Sequence, residues 1–187
     1  MLDDIIIYIC NTRLDNWDRL MFLSTAKKLH SLKNQIDFKD TVYIDTNFDF
    51  DIWYYDQFVD IHIGEKPTIY PLCLTHLSIG VGWYKPILDI EFIPNGVTHL
   101  TLCGPVDDRI KNLIPSSVWH MTFGCMLTND IQGFITPYVT HIVFGDLFCG
   151  QIKDRILQTV THVTFGSHFY EDINAIIPST VIHLIIE

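Results

Sequence analysis

Positive charge is scarce in this chain: 12 Lys and Arg stand against 22 Asp and Glu, for a formal net charge of −10. Nucleic-acid binding needs clustered Lys and Arg, so no nucleic-acid partner is expected. Charged residues of both signs reach only 18%, while hydrophobic residues make up 48%. That balance excludes a disordered chain and leaves a substantial core to bury. Long apolar runs are missing too. Near the N-terminus the run Ile5–Cys10 follows an acidic start, Asp3-Asp4, whereas a signal peptide needs a basic start and a longer apolar stretch. No segment approaches the roughly 18 apolar residues of a membrane span, so no membrane partner is expected and the cytoplasm is the expected location. Cys10, Cys73, Cys103, Cys125 and Cys149 form no C-x-x-C pair. They read as reduced, small apolar residues.

Catalytic motifs are also lacking. There is no G-x-S-x-G, no phosphate-cradling glycine loop and no pair of carboxylates at a meaningful spacing. Asp107-Asp108 and Glu171-Asp172 read as solvated turn residues. No enzyme activity and no cofactor are expected.

What the chain has is a period. His99, His120, His141, His162 and His183 fall 21 residues apart in one recurring phrase: Val97-Thr-His-Leu-Thr-Leu102, Val118-Trp-His-Met-Thr-Phe123, Val139-Thr-His-Ile-Val-Phe144, Val160-Thr-His-Val-Thr-Phe165 and Val181-Ile-His-Leu-Ile-Ile186. Leu74-Thr-His76-Leu-Ser-Ile79 is a further copy, set off by a 23-residue step. Strict repetition at this length marks a solenoid, in which each unit buries its apolar side only by stacking on its neighbours.

Aligned on histidine, the copies give three apolar columns. They are Leu74, Val97, Val118, Val139, Val160, Val181; then Leu77, Leu100, Met121, Ile142, Val163, Leu184; then Ile79, Leu102, Phe123, Phe144, Phe165, Ile186. This spacing matches the inner positions of the L-x-x-L-x-L strand of leucine-rich repeats. The second and third columns lie two residues apart and leave one strand face together. The intervening positions point outward. His99, His120, His141, His162 and His183 should form a ladder across a parallel sheet, about 4.8 Å from strand to strand. Thr98, Trp119, Thr140 and Thr161 flank it on one side, and Thr101, Thr122, Val143 and Thr164 on the other.

Gly80, Gly124, Gly145 and Gly166 follow the third column, where a positive φ or a close backbone approach lets the chain leave the strand sharply. Trp83, Leu127, Phe148 and Phe169, three residues on, are placed to tuck beneath that turn. The pairs Ile110/Ile114, Ile131/Ile135, Ile152/Ile156 and Ile173/Ile177 fit a single helical or 3₁₀ turn facing inward. Pro94, Pro115 and Pro178 end it. A unit this short has no room for a long convex helix. Val42-Tyr-Ile44 and Ile61-His-Ile63-Gly64 continue the pattern backwards. The expected architecture is an α/β solenoid of leucine-rich-repeat type over 41–187, with a parallel sheet of about eight strands and a short N-terminal helical cap over 1–40.

The phrases Ile-Pro-Ser-Ser-Val-Trp-His-Met-Thr-Phe-Gly at 114–124 and Phe-Gly-x-x-Phe at 144–148 and 165–169 closely resemble the FNIP repeat. That is a leucine-rich-repeat variant found mainly in amoebae and the giant viruses that infect them. The resemblance covers roughly residues 41–187 and implies a protein-binding solenoid, in the host cytoplasm if the chain is viral. It departs from the family where an Asn usually follows the second Phe: Tyr84, Asp107, Thr128, Cys149 and Tyr170 stand there instead. The Asn builds a hydrogen-bond ladder in the family's turns, which these replacements put in doubt. Residues 1–40 read as two short helices capped by Asp3 or Asp4 and by Asp15. Leu2, Ile5, Ile6 and Ile9, with Leu14, Leu20, Leu23 and Leu29, resemble an F-box, which binds a Skp-type adaptor of cullin–RING ubiquitin ligases. By resemblance, Leu2, Ile5, Ile6, Ile9, Leu20 and Leu23 would contact that adaptor. A plain reading of the same segment is a cap shielding the first strand.

Three further expectations follow. A row of imidazoles lacks the tetrahedral donor set that zinc needs, so no metal is expected on the histidine ladder, and a metal-dependent enzyme there is a distant rival to protein recognition by the concave sheet. Trp119 interrupts the threonine row as a candidate binding anchor. The segment Val181, Ile182, His183, Leu184, Ile185 and Ile186 should be an open, apolar edge strand, suited to homodimerisation about a two-fold axis.

Overall fold

From His99 onward the chain returns every 21 residues to the same short strand, and the strands stack side by side. The computed structural model describes the backbone at 42–44 and 60–63 and residues 70–71, 73–80, 90–104, 106–124, 130–146, 148, 150–169, 173 and 176–187. The expected helical cap over 1–40, with Leu2, Ile5, Ile6, Ile9, Leu20 and Leu23, lies outside the described residues. Six strands carry the repeat: β3 (His76–Ile79), β4 (His99–Leu102), β5 (His120–Phe123), β6 (His141–Phe144), β7 (His162–Phe165) and β8 (His183–Ile186). They follow β1 (Val42–Ile44) and β2 (Asp60–Ile63), and each strand pairs in parallel with the next in chain order.

Register is fixed by the apolar columns. Leu77, Leu100, Met121, Ile142, Val163 and Leu184 stand side by side across the sheet, as do Ile79, Leu102, Phe123, Phe144, Phe165 and Ile186. A one-residue slip would turn both columns to solvent. From β4 to β7 the pattern alternates partly exposed and buried, and it is fully exposed along β8. Phe123, Phe144 and Phe165 stack at 5.5 and 5.2 Å between ring centroids. Phe148 closes over Phe144 at 4.8 Å and Phe169 over Phe165 at 4.1 Å, plugging the core beneath the turns.

Behind the sheet the chain makes turns, with one 3₁₀ helix described, Asp108–Leu113. Ile110, Ile131, Ile135, Ile152 and Ile156 are buried there. A β-turn returns each unit to its strand. The Pro94, Pro115, Thr136, Leu157 and Pro178 carbonyls accept from the amides of Val97, Val118, Val139, Val160 and Val181 at 3.0–3.1 Å. Proline therefore opens the return turn as well as ending the inward turn.

Two expectations need refinement. Of the glycines after the third column, only Gly80 has a positive φ, at 119°. Gly124, Gly145 and Gly166 sit instead where one repeat's backbone presses on the next; a Cβ on Gly166 would lie 2.5 Å from the Asp146 amide nitrogen. Of the positions in doubt for the family's Asn ladder, Asp107 caps its own 3₁₀ helix by accepting from the Arg109 amide at 2.8 Å. The repeat-to-repeat bond is made one residue after Gly145, where the Asp146 carboxylate accepts from the Ser167 amide and hydroxyl at 2.8 and 3.0 Å.

Candidate functional site

The outward face of the sheet owes its width to one backbone detail. The carbonyl oxygens of Thr75, Thr98, Trp119, Thr140 and Thr161 each accept from two consecutive amides of the next repeat, as Thr98 does from Trp119 and His120 at 3.2 Å each. Two adjacent residues can then turn away from the core before alternation resumes. The core valine is buried in β4's repeat at Val97, while Thr98 and His99 are both partly exposed. The face therefore carries a threonine row beside the histidine row, with Ser78, Thr101, Thr122, Val143, Thr164 and Ile185 in register on the far side.

The histidine ladder is continuous, but its spacing is uneven. Successive ring centroids from His76 through His99, His120, His141 and His162 to His183 lie 4.0, 4.9, 6.0, 3.9 and 4.5 Å apart. Two pairs are tight, with nearly parallel stacked rings, His76–His99 at 14° and His141–His162 at 9°. Each ring of those pairs has its preceding threonine as a partner: Thr75, Thr98, Thr140 and Thr161 hold Nδ1 of the following histidine at 2.8–2.9 Å through Oγ1. His120 and His183 follow Trp119 and Ile182 and have no such hydroxyl beside them.

Trp119 explains the loosening at the centre. It is 38% exposed and meets His99 and His141 edge-on at 4.7 and 5.0 Å, with His120 at 5.7 Å. The indole therefore covers His120 while presenting the rest of its surface to solvent. Burial pushes the His120 pKa down to about 4, and like-charge repulsion from His99, His141 and His76 adds to the effect. His141 is also lowered, by burial first and then by His162 and His183.

A pH dependence follows with a definite sign. The folded chain resists protonating His120 below its ordinary value of 6.5, whereas the unfolded chain accepts that proton, so stability falls as pH drops from 6.5 toward 4. Allowing for the half-exposed ring, this one group should remove about 1 kcal/mol between pH 7.5 and 5. Asp107, Asp130 and Asp146 are held below 3.8 by hydrogen bonds from Arg109, Arg155 and Ser167, so their loss belongs to lower pH. Thermal melts at the two pH values should differ, and His120→Gln should shrink the gap. Identical gaps in both proteins would remove His120 as the cause.

Thr98, His99, Thr101, Trp119, His120, Thr122, Thr140, His141, Thr161, His162 and Thr164 thus come together on one face. Sequence reasoning left Thr75, His76 and Ser78 out of that set; their membership of a sixth copy was the available signal. It also missed the threonine–imidazole bonds, for which Thr-His at four copies was the signal. Val181, Ile182, His183, Leu184, Ile185 and Ile186 lie at the end of the sheet, with Ile182 72% and Ile186 58% exposed. Among the described residues no group of three or more His, Cys, Asp or Glu is placed to hold a metal ion, and no helix is long and apolar enough to cross a membrane.

No protein-family model matches the chain, and no curated protein sequence matches it. Its structure is similar to the crystal structure of CroV588, described as a novel circular LRR protein, from a giant virus. The likeness has a TM-score of 0.54 at 24% identity and covers 82% of this chain and 24% of that one. The present chain thus spans about a quarter of that protein's length. The fold is a leucine-rich-repeat-like solenoid.

Proposed function

We propose that the protein is a non-enzymatic recognition module whose outward sheet face holds a protein partner. The observation that carries this reading is the face itself. Trp119 stands half-open among hydroxyls and imidazoles, and no Lys, Arg, Asp or Glu interrupts strands β3–β8. A rigid aromatic anchor within an adaptable polar surround is the composition of an interface hot spot. A photo-crosslinking residue placed at Thr122 or Thr140 in the full chain should capture discrete host or viral proteins, and Trp119→Ala should reduce that capture at least tenfold. The same probe at Lys153, an exposed turn residue, should not. Capture equal from Lys153, or none from the sheet face, would overturn the reading.

The finer form of the proposal makes residues 1–40 an F-box-like segment for a Skp-type adaptor, so that the sheet-bound partner is presented to a ubiquitin ligase. Its support is the sequence resemblance of Leu2, Ile5, Ile6, Ile9, Leu20 and Leu23. Sub-micromolar binding of the full chain to the host adaptor, lost on Leu20→Asp, would support it; no binding at tens of micromolar would reduce the segment to a cap. A second reading, an assembly module that dimerises through β8, is favoured by the exposure of Leu184, Ile185 and Ile186 on an edge strand. A monomeric mass at micromolar concentration in analytical ultracentrifugation would sink it.

A further inference from the structure

Return turns lead the chain into β4–β8, and their two central residues are Asn95-Gly96, Ser116-Ser117, Pro137-Tyr138, Gln158-Thr159 and Ser179-Thr180. At the second position a side chain can fasten one repeat to the one before. The Ser117 and Thr180 hydroxyls donate to the Val97 and Val160 carbonyls at 2.7 and 3.0 Å. Gly96, in the turn before β4, has no side chain to do so. It does not adopt a positive φ, but a Cβ on it would lie 2.9 Å from the Leu74 carbonyl oxygen. Close approach to the previous repeat is therefore what calls for glycine at this turn.

That demand has a chemical consequence, because the residue before Gly96 is an asparagine. The side-chain carboxamide of an asparagine can be attacked by the amide nitrogen of the residue that follows, and a side chain on that residue is the main steric obstacle. Glycine offers none. Asn95 and Gly96 are both exposed. Neither the Asn95 carboxamide nor the Gly96 amide is held by a hydrogen bond, so both reacting groups are open to water. Asn112 provides the contrast. It is exposed as well, but Leu113 follows it and both residues lie within the 3₁₀ helix Asp108–Leu113.

We propose that Asn95-Gly96 is a self-modification site, at which the ageing chain converts asparagine to isoaspartate and thereby loosens the seam between β3 and β4. The Gly96 nitrogen gives its proton to solvent and bonds to Cγ of Asn95; the Cγ–Nδ2 bond breaks, and ammonia leaves a cyclic imide behind. Water then opens the imide at one of its two carbonyls. One opening gives an aspartyl residue, the other an isoaspartyl residue whose main chain runs through Cβ and is a carbon longer. No oxidant or reductant takes part. The turn has no slack for that carbon. The Val97 amide donates to the Pro94 carbonyl at 3.0 Å, and the Thr98 and His99 amides donate to the Thr75 carbonyl at 2.8 and 3.0 Å. Val97 itself is fully buried. A longer link between Pro94 and Val97 must break the closing bond or move Val97 from its column, and with it the first bonds between the two repeats.

The test incubates the full chain in mildly alkaline buffer. Conversion is followed by the mass of the peptide that spans the turn and by labelling with an isoaspartyl methyltransferase. Asn95 should convert at least tenfold faster than Asn112, which a following side chain and a helix both hinder. Folding should slow Asn95 by no more than about tenfold relative to the chain in urea, because an exposed turn opens at little cost. Aged protein should unfold at a lower urea concentration, in proportion to its isoaspartyl content. Asn95→Ser and, independently, Asn95→Gln should abolish both the labelling at this turn and the loss; the turns before β5, β7 and β8 already carry Ser or Gln at this position. Freshly prepared Asn95→Asp adds the charge without the carbon and should keep the original midpoint. Circular dichroism establishes that each variant is folded. Conversion at Asn95 no faster than at Asn112, or slowed by folding more than about tenfold, would overturn the site. An unchanged midpoint in converted protein, or an equal loss in fresh Asn95→Asp, would overturn the loosening of the seam.

Discussion

Phe144→Ala should destabilise the protein by about 3–5 kcal/mol, the usual loss when a buried phenylalanine is cut back to its Cβ. Phe144 is 1% exposed and is sandwiched between Phe123 and Phe165, its ring nearly parallel to both, with interplanar angles of 16° and 12°. Phe148 covers it from the turn. Truncation would therefore open a cavity between three consecutive repeats, and parallel strands fixed by their pairing on both sides have little freedom to collapse into it. In a solenoid, stability is a sum of repeat and nearest-neighbour terms, so a gap at β6 weakens two interfaces at once. Urea unfolding followed by far-UV circular dichroism measures the loss. Tyr138→Ala, at a side chain 58% exposed, serves as the surface control and should stay within about 0.5 kcal/mol. A loss below about 1 kcal/mol for Phe144→Ala would mean that the phenylalanine column does not carry the core.

How far the sequence could be read follows from which contacts the period encodes. Columns run across repeats at constant spacing, so the inward positions, the register of His99 on His120 and the face that holds Thr101 and Thr122 were all legible. Features that depend on how one repeat sits over the next were not. Phe134 is fully buried, yet its column reads Leu113, Phe134, Arg155 and Ile176, too mixed to mark an inward position. Arg155 takes that place in the next unit and reaches back to fork Asp130 at 2.9 Å through both Nε and Nη2. The backbone bend that brings Thr98 and His99 to the same side comes from carbonyls accepting two amides each, a hydrogen-bond choice no residue type announces. Trp119 was recognisable as an exposed break in the threonine row. Its role as a cover for His120 required the edge-on geometry, and with it the unequal spacing of the ladder.

Gly80→Ala should be as damaging as losing a core side chain, for a reason confined to the backbone. Gly80 leaves β3 with φ at 119°, and a Cβ built there would fall onto the carbonyl oxygen of Cys103 in the next repeat. Two penalties combine: roughly 1–2 kcal/mol for an L-residue in a left-handed conformation and about 1–3 kcal/mol for overpacking. The second falls near its upper end, because the obstructing atoms are backbone and the Cys103 amide is itself bonded to the Ile79 carbonyl at 2.8 Å. The total is about 3 kcal/mol or more. Gly133 separates the two penalties. Its φ is 84°, but a Cβ there would meet only the Lys111 side chain, at 3.4 Å from Cδ. Gly133→Ala should thus show the backbone penalty by itself, about 1–2 kcal/mol. Denaturant midpoints of the two variants decide the matter. If they match, the close approach of Gly80 to the next repeat contributes nothing, and the turn after β3 is held by its local conformation alone. If Gly80→Ala falls well below Gly133→Ala, the solenoid's stacking distance is set at this turn by the need for a residue with no side chain.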